Sequence, residues 1–488
     1  MKIVFSLISS TACALLLISV VGCRVSTQTL KPRAPLPSSF QLPGPRPDSV
    51  SMAAADWDVF YGDSCLTGLI GIALQNSPDA RVTLENMQLA ETAYTVARSS
   101  LLPRVDGVVN ARVDKFGKYT MNGVGNDDTN RSESLPVDER LPDPYPEYFA
   151  GVNFSWEVNL WGKLSNQRKA SLARFMASRE AWHGVMTRLV STMAEHYYTL
   201  IALDQERKIV QRNLELQNMG FELVKIQKIG GKVTQLAVDQ FESQLLNTQT
   251  RLLRIDQQIR ATEAVLNKLA GRYPQPLIRW SINRYDSVLS VTTGIPDRMI
   301  YQRPDLRQNE LELIAAQADV SVARAAFYPS LTLSAAAGFS AFDVSKWFLS
   351  PASAAYGVGG GLVAPIFQRG RIKALYAAAN ARQRIALEQY QKSLLNAYHE
   401  VYTVAHNHYN LEQQLEVKQR EVDVLRRASV NSNDLFTVGY ATYLEVITAQ
   451  RRLLDVELEF TNMKKELLQN RAMLYRALGG GWTDSVVK

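Results

Sequence analysis

The chain has 488 residues, 46% of them hydrophobic and 21% charged, and a formal net charge of +7. This length allows large buried cores, and the hydrophobic fraction is ordinary for a folded protein. Because the positive charges are spread along the sequence and form no stripe, we expect no nucleic-acid partner. Three cysteines are too few for a disulfide framework, so their positions matter more than their number.

The N-terminus has the features of an export signal. Lys2 precedes the apolar run IVFSLISSTACALLLISVV, which is too short and too close to the start to be taken as a membrane span. The run ends in VVGC, where Gly22 precedes Cys23, and this resembles the lipobox of bacterial lipoproteins, in which the signal is cut before a cysteine that is then lipidated. We expect Cys23 to carry the lipid; the alternative is an ordinary signal with an incidental cysteine. The absence of aspartate after Cys23 favours sorting to the outer membrane.

A proline-rich stretch, LKPRAPLPSSFQLPGPRPDS, follows at residues 30–49. Its prolines exclude regular helix or sheet, so we expect an extended tether between the lipid and the folded body. The remaining cysteine, Cys65, is expected to pack as a small hydrophobic residue rather than to act as a catalyst.

The rest of the chain is an internal repeat. A shift of 226 residues sets SPDARVTLENMQLAETAYTVARSSLLP over RPDLRQNELELIAAQADVSVARAAFYP and pairs Pro103 with Pro329 without a gap. A shift of 208 residues pairs Gly231 with Gly439. The two shifts differ by 18 residues, so the first copy carries an insertion between Pro103 and Gly162, where the sequence is polar and rich in glycine and proline.

Each copy contains two segments in which apolar and polar side chains alternate, as in half-exposed β-strands. In GVNFSWEVNLWG, residues 151–162, Phe154 and Trp156 fall on one face, whereas Asn153 and Glu157 fall on the other. The predicted strands span about residues 104–114, 150–161, 330–340 and 356–367.

Strands of about ten residues with one apolar and one polar face are typical of a transmembrane β-barrel. Four strands cannot close a useful barrel, and an open sheet edge cannot face lipid, so other chains must supply the rest. The alternative is a small soluble sheet packed on helices. That alternative leaves unexplained a polar face with Arg104, Asp106, Arg112 and Asp114 opposite valines.

Long helices follow the second strand of each copy. No proline occurs from about Lys163 to Lys228 or from about Arg371 to Leu435, and a helix of this length reaches about 100 Å. Apolar residues in the second helix recur at alternating spacings of three and four residues, as in a coiled coil. Both helices end at glycine-containing turns, and a returning helix follows each turn.

These features predict a division of the chain into six parts. They are a signal peptide (1–22), a lipidated tether (23–50), a first repeat (51–270), a connecting segment (271–302), a second repeat (303–480) and a C-terminal tail (481–488).

Several motifs together resemble the TolC-type outer-membrane factors, in particular the lipoprotein branch that serves resistance-nodulation-division (RND) efflux pumps. They are RPDLRQNE (303–310), VARAAFYPSLTLSAAAGF (322–339), PIFQRGR (365–371), GYATYLEVITAQRRLL (439–454) and YRALGGGW (475–482), with VVGC at the front. The resemblance covers nearly the whole chain from Cys23 onward. It departs from the family in a weaker first-repeat motif, SPDA, and in a long loop after the first strand.

The resemblance implies a mixed α and β membrane protein that forms a homotrimer. Three times four strands would form one twelve-stranded outer-membrane β-barrel, continued by a long coiled-coil-like α-barrel across the periplasm of a Gram-negative bacterium. A periplasmic adaptor (membrane fusion) protein would dock this duct to an inner-membrane RND pump. Lumen-facing strand residues would then include Arg104, Asp106, Asn153 and Glu157.

Two further sites follow from the same interpretation. We expect the turns at Gly231, Thr234, Gly439 and Thr442 to form the periplasmic tips that contact the adaptor, because glycine lets the chain reverse and threonine can cap the returning helix. In the family, closure lies at this tip. Asp434, the only acid in the segment NSNDLFTVG that ends at Gly439, is therefore a candidate gate residue, although helical phase also allows it to face solvent.

The sequence offers little support for catalysis or metal binding. GVGGGL at 357 lacks the Gly-Lys-Ser/Thr of a phosphate loop, and His406 and His408 lie two apart, on different sides of a helix. We therefore expect no enzyme activity, no cofactor and no resident metal. The predicted function is a passive outer-membrane exit duct. The alternatives are a component of another secretion or copper and silver export system, or a structural lipoprotein that spans the periplasm without a channel.

Overall fold

The computed structural model of the chain describes residues 37, 40, 51–285 and 301–482. The predicted signal peptide, the lipidation site Cys23 and nearly all of the tether lie outside the described residues. Two compact units divide the chain, and each takes segments from both sequence repeats. One unit contains Ala90–Arg174 and Leu313–Ala386, and the other contains the described parts of Lys31–Leu89, Phe175–Glu312 and Leu387–Lys488.

The described elements follow the predicted order of helix, strand, strand, long helix and returning helix in each copy. The helices are α1 (Trp57–Tyr61), α2 (Ser64–Asn76), α3 (Pro78–Ser99), α4 (Met121–Asn130), α5 (Lys163–Ile229), α6 (Gln235–Leu269), α7 (Pro304–Ala325), α8 (Arg371–Thr437) and α9 (Tyr443–Ala477). The strands are β1 (Arg104–Asp114), β2 (Tyr145–Val158), β3 (Ser330–Ala341) and β4 (Ala354–Val363). Short 3₁₀ turns cover Met52–Ala54, Val137–Glu139, Ile282–Tyr285 and Val344–Lys346.

Corresponding helices of the two copies have equal lengths. Both α3 and α7 have 22 residues, α5 and α8 have 67, and α6 and α9 have 35. Glycines 208 residues apart also share the left-handed backbone conformation, with positive φ in each pair. These pairs are Gly162 and Gly370, Gly231 and Gly439, and Gly271 and Gly479. The structure therefore has the same internal symmetry as the sequence.

The first unit contains a four-stranded antiparallel sheet in the order β1-β2-β3-β4. Arg104 of β1 lies opposite Ser155 of β2, and Phe154 of β2 lies opposite Ala335 of β3. Leu331 of β3 lies opposite Leu362 of β4. Strands that follow one another in the chain are thus neighbours in the sheet, although the helices α5, α6 and α7 separate β2 from β3 in the sequence.

The second strand differs from its predicted bounds of about 150–161. It begins at Tyr145 and includes Pro146. A proline is tolerated at this position because it lies beyond the part of β2 that pairs with β3, so its missing N–H leaves no β3 partner unsatisfied. It ends at Val158, because the Asn159 side chain accepts the backbone N–H of Leu164 at 2.9 Å and starts α5. Trp161 therefore lies outside the strand.

The fourth strand also ends earlier than the predicted residue 367. It stops at Val363, two residues before Pro365, which has no N–H to donate to a neighbouring strand. Ile366 accordingly lies after β4 and is almost fully exposed.

The insertion in the first copy contains more regular structure than its composition suggests. Residues 121–130 form α4, whose N-cap Thr120 accepts the backbone N–H of Gly123 at 3.2 Å. The Asn130 side chain exchanges two 2.8 Å hydrogen bonds with the backbone of Leu141 and ties the helix to the returning segment. Glycine and proline content predicted only a loop here, because side-chain capping and closure by Asn130 depend on the fold.

A buried carboxylate organises the core of the second unit. Asp63, fully inaccessible to solvent, caps α2 by accepting the backbone N–H of Cys65 at 2.7 Å. The same side chain accepts the hydroxyl groups of Tyr197 at 2.7 Å and Tyr285 at 2.5 Å. Burial raises the pKa of both phenols well above its ordinary value, so both stay protonated and able to donate. One carboxylate thus joins three distant segments.

No helix in the described ranges is both long and apolar enough to cross a membrane.

Candidate functional site

The polar face of the sheet contains every strand residue predicted to face a lumen. Arg104 lies opposite Ser155, Asp106 lies opposite Asn153, and Glu157 lies opposite Thr332. Directly opposite residues of an antiparallel pair point to the same side of the sheet. The register therefore brings Arg104, Asp106, Asn153 and Glu157 onto one face.

Charges on this face are paired with one another. Arg112 Nη2 lies 2.6 Å from Glu147 Oε2, and Arg104 Nε lies 2.8 Å from Asp106 Oδ2. Lys163 Nζ, just after β2, lies 2.9 Å from Glu157 Oε1. Exposed pairs such as these contribute little to stability, so they indicate a face built to remain in water. Sequence reasoning did not single out Glu147 or Lys163, whose partners depend on the strand register.

The opposite face is apolar and open. Val105, Val109, Tyr356 and Val358 expose between 62% and 88% of their surface. Such a surface on a soluble monomer is a liability, whereas a lipid-facing barrel wall requires it.

Aromatic side chains gather at both ends of the sheet. At the β1–β2 loop end, the Tyr148 ring lies 5.5 Å from Trp347, which stacks on Phe348 at 5.0 Å. At the other end, Trp161 stacks on Tyr328 at 4.9 Å and donates its indole N–H to the Pro329 carbonyl. Two aromatic groups that flank an apolar band are typical of barrel walls at membrane interfaces.

Two facing glycines allow a close approach between β2 and β3. A Cβ atom on Gly338 would lie 2.6 Å from Gly151 Cα, and one on Gly151 would lie 2.7 Å from Gly338 Cα. Both hypothetical atoms would point to the polar face, because Gly151 lies two residues before Asn153 in the alternation. Crowding on one face arises when a sheet bends toward that face, and glycine pairs are a device for such curvature.

Both edges of the sheet are open in the described chain. The order β1-β2-β3-β4 leaves one side of β1 and one side of β4 without a paired strand. Exposed edges of this length invite pairing with another chain.

The first predicted tip is a helix C-cap turn. Gly231 has φ +68°, and its N–H donates to the Lys228 carbonyl at 3.0 Å, while Lys232 N–H donates to Gln227 at 2.9 Å. This Schellman-type arrangement needs a residue that tolerates the left-handed conformation. Thr234 occupies the N-cap position of α6, but its side chain makes no capping hydrogen bond.

The second predicted tip has the same backbone and a stronger cap. Gly439 has φ +86°, and the N–H of Tyr440 donates to the Leu435 carbonyl at 2.8 Å. Thr442 is the N-cap of α9, and its backbone N–H donates to Glu445 Oε2 at 2.6 Å in a capping box. Hydrogen bonding to Thr442 lowers the pKa of the Glu445 carboxyl, which keeps this cap ionised.

One apolar cluster lies beneath both turns. Phe221 and Phe241 from the first hairpin pack with Phe436 and Val446 from the second. Around this cluster the turns expose apolar side chains to solvent. These exposed residues are Ile229, Leu236, Val438, Tyr440 and Leu444.

The remaining candidate residues have simple surroundings. Asp434 is exposed on the last turn of α8, and its backbone carbonyl accepts the Val438 N–H. Burial raises the pKa of the Cys65 thiol, consistent with a packing role. Among the described residues, no three histidine, cysteine, aspartate or glutamate side chains come together as a metal site.

Comparison with known proteins identifies the family of the chain. The model of the outer membrane efflux protein family matches residues 69–272 and 295–480. The chain belongs to the outer membrane efflux protein family. It is 30% identical over 476 residues to the pyoverdine export outer membrane protein OpmQ of Pseudomonas putida, a match that covers 95% of this chain and 96% of that one.

Two further comparisons agree. The chain is 27% identical over 469 residues to SilC of Salmonella typhimurium, a probable outer membrane lipoprotein, with 95% of this chain and 97% of that one covered. A crystal structure of CusC superimposes with a TM-score of 0.81 at 24% identity and covers 94% of this chain and 100% of that chain. The predicted family, outer-membrane location, efflux function and mixed α and β channel fold are therefore confirmed.

Proposed function

We propose that the protein is the exit duct of a tripartite RND-type efflux system and works as a homotrimer. The observation that carries this proposal is the four-stranded sheet with a paired-charge polar face, an open apolar face and two unpaired edges. Three copies joined edge to edge would satisfy the open edges and close a twelve-stranded barrel. The polar face would line water, and the apolar face would contact lipid.

In this trimer the long helices continue the conduit through the periplasm. Helices α5 and α8 have 67 residues each, long enough for about 100 Å of wall. A passive wall supplies no energy for transport. That energy comes from an inner-membrane pump, which a periplasmic adaptor joins to the duct.

The turns at Gly231–Thr234 and Gly439–Thr442 are the proposed adaptor contacts. Their support is the shared apolar cluster, which holds the turns together, and the ring of exposed apolar side chains around it. An exposed apolar patch on rigid helix ends is the kind of surface that binds a partner.

A photo-crosslinking amino acid at Ile229 or Tyr440, both more than 80% exposed, is expected to capture an adaptor protein in intact cells. Leu395, 59% exposed on α8, is the matched control position because it lies far from either turn in the sequence. Mass spectrometry identifies the captured protein. Equal capture at Leu395, or no adaptor at either turn, contradicts the proposed contact.

Two smaller roles belong to the same proposal. Three copies of Asp434 around an axis would repel one another when ionised and attract cations, which suits a gate at the tip. Its exposure in one protomer supports access to such an axis. Cys23 would carry the lipid anchor, supported by the VVGC motif and by the likeness to the lipoprotein SilC, and the mass of the mature N-terminal peptide tests this.

Single-channel recording tests the duct directly. Purified full-length protein in planar lipid bilayers is expected to give discrete, ion-conducting steps, because the polar sheet faces enclose water. Asp434→Ala is expected to change conductance and reduce cation preference, while the trimer remains intact on a sizing column. A bilayer that stays silent with trimeric protein would support the structural lipoprotein instead.

A further inference from the structure

We propose that Phe149 forms a wall site in the conduit that binds aromatic or apolar parts of organic cations; this inference rests on the proposed function. Phe149 lies on β2 opposite Asn110 of β1 and Ser340 of β3. Those partners, and the Arg112–Glu147 pair beside them, place it on the polar face. Its side chain is aromatic, whereas its direct partners on that face, Asn110 and Ser340, are polar.

The ring lies along the wall and does not project from it. Its Cζ atom is 2.9 Å from the position where a Cβ on Gly151 would stand. Since Gly151 shares the face of Phe149 two residues along the strand, the ring reaches over the glycine bend. Any side chain at Gly151 would displace it, so the missing side chain provides the space in which the ring rests.

The surroundings leave the ring accessible. Phe149 is half-buried, and the residues next to it on the same face of β2 and β3, Gly151, Gly338 and Ser340, are small. Their small volume leaves part of the ring accessible from the polar side.

Electrostatics select the class of molecule. An accessible phenyl face attracts cations through its quadrupole and stacks with other aromatic rings. The charges beside the ring on this face are Arg112, Glu147 and Asp114. Arg112 lies 2.6 Å from Glu147 and 2.9 Å from Asp114, so one base faces two acids and the group favours cations. In a trimer three such rings stand at one height, so a molecule that joins positive charge to aromatic surface has several places to bind as it passes.

The alternative to ligand binding is a structural role for the ring, because aromatic rings also stabilise glycines in sheets by packing over them. Leucine would preserve that apolar cover but has no π-face. Phe149→Leu therefore separates binding from packing. Phe154→Leu is the matched control, because Phe154 lies on the same strand but on the opposite face, between Val105 and Ala335.

Block of single-channel current by tetraphenylphosphonium, compared with non-aromatic tetrabutylammonium, measures the site. The wild-type channel is expected to prefer the aromatic cation, and Phe149→Leu is expected to raise its half-blocking concentration roughly two- to five-fold. Phe149→Trp keeps the preference, as does Phe154→Leu. Equal loss in Phe154→Leu, no change in Phe149→Leu, or no aromatic preference in wild type overturns the inference. Absence of channels in the wild type overturns the proposed function instead.

Discussion

Replacing Asp63 by alanine is expected to destabilise the protein more than most single substitutions, by about 3–5 kcal/mol. The substitution leaves the hydroxyl groups of Tyr197 and Tyr285 and the first N–H groups of α2 buried without their acceptor. Each buried donor left unsatisfied costs about 1–3 kcal/mol, and part of this cost is relieved by local rearrangement. The expected outcome is a large fall in the thermal unfolding midpoint of the purified protein and a low yield from membranes.

Two variants calibrate this result. Tyr285→Phe removes one donor and keeps the carboxylate, so it is expected to cost only about 1 kcal/mol. Asp58→Ala removes an exposed acid from α1 and is expected to change the midpoint little. If Asp63→Ala unfolds at the same temperature as Asp58→Ala, the buried network does not hold the unit together.

The Asp63 network could not be read from the sequence. Its tyrosine partners lie 134 and 222 residues away along the chain, and no local pattern connects them. Elements governed by local chemistry were predictable. Alternation identified the four strands, and glycines marked the turns after the long helices.

The polar face shows the same division between local and non-local information. The alternation placed Asn153 and Glu157 on one side, and the register confirms it. Neither the Lys163–Glu157 pair nor the glycine bend was predicted, because each depends on which residues the fold brings together. An isolated glycine in a strand pattern indicates only that a backbone can come close, not which one.

The second large effect is expected at that bend. A methyl group on Gly338 would overlap the Ala150 carbonyl and lie 2.6 Å from Gly151 Cα. These are backbone atoms in paired strands, so they cannot move aside without loss of the β2–β3 hydrogen bonds. Such overpacking costs about 1–3 kcal/mol or more, and about 1.4 kcal/mol already corresponds to a tenfold change in an equilibrium constant. Gly338→Ala is therefore expected to reduce assembled trimer in the outer membrane by roughly tenfold.

Gly357→Ala provides the matched control for this prediction. It places the same methyl group on the same face of the neighbouring strand, where no other atom lies within 4 Å of the new Cβ. Unheated gel electrophoresis of outer-membrane fractions measures the trimer in both variants, and immunoblots of whole cells correct for expression. Because the two changes are chemically identical, a loss confined to Gly338→Ala assigns the effect to the bend, which lets a flat pair of strands curve into a barrel wall. Equal amounts of trimer from both variants would show that assembly does not need this close approach.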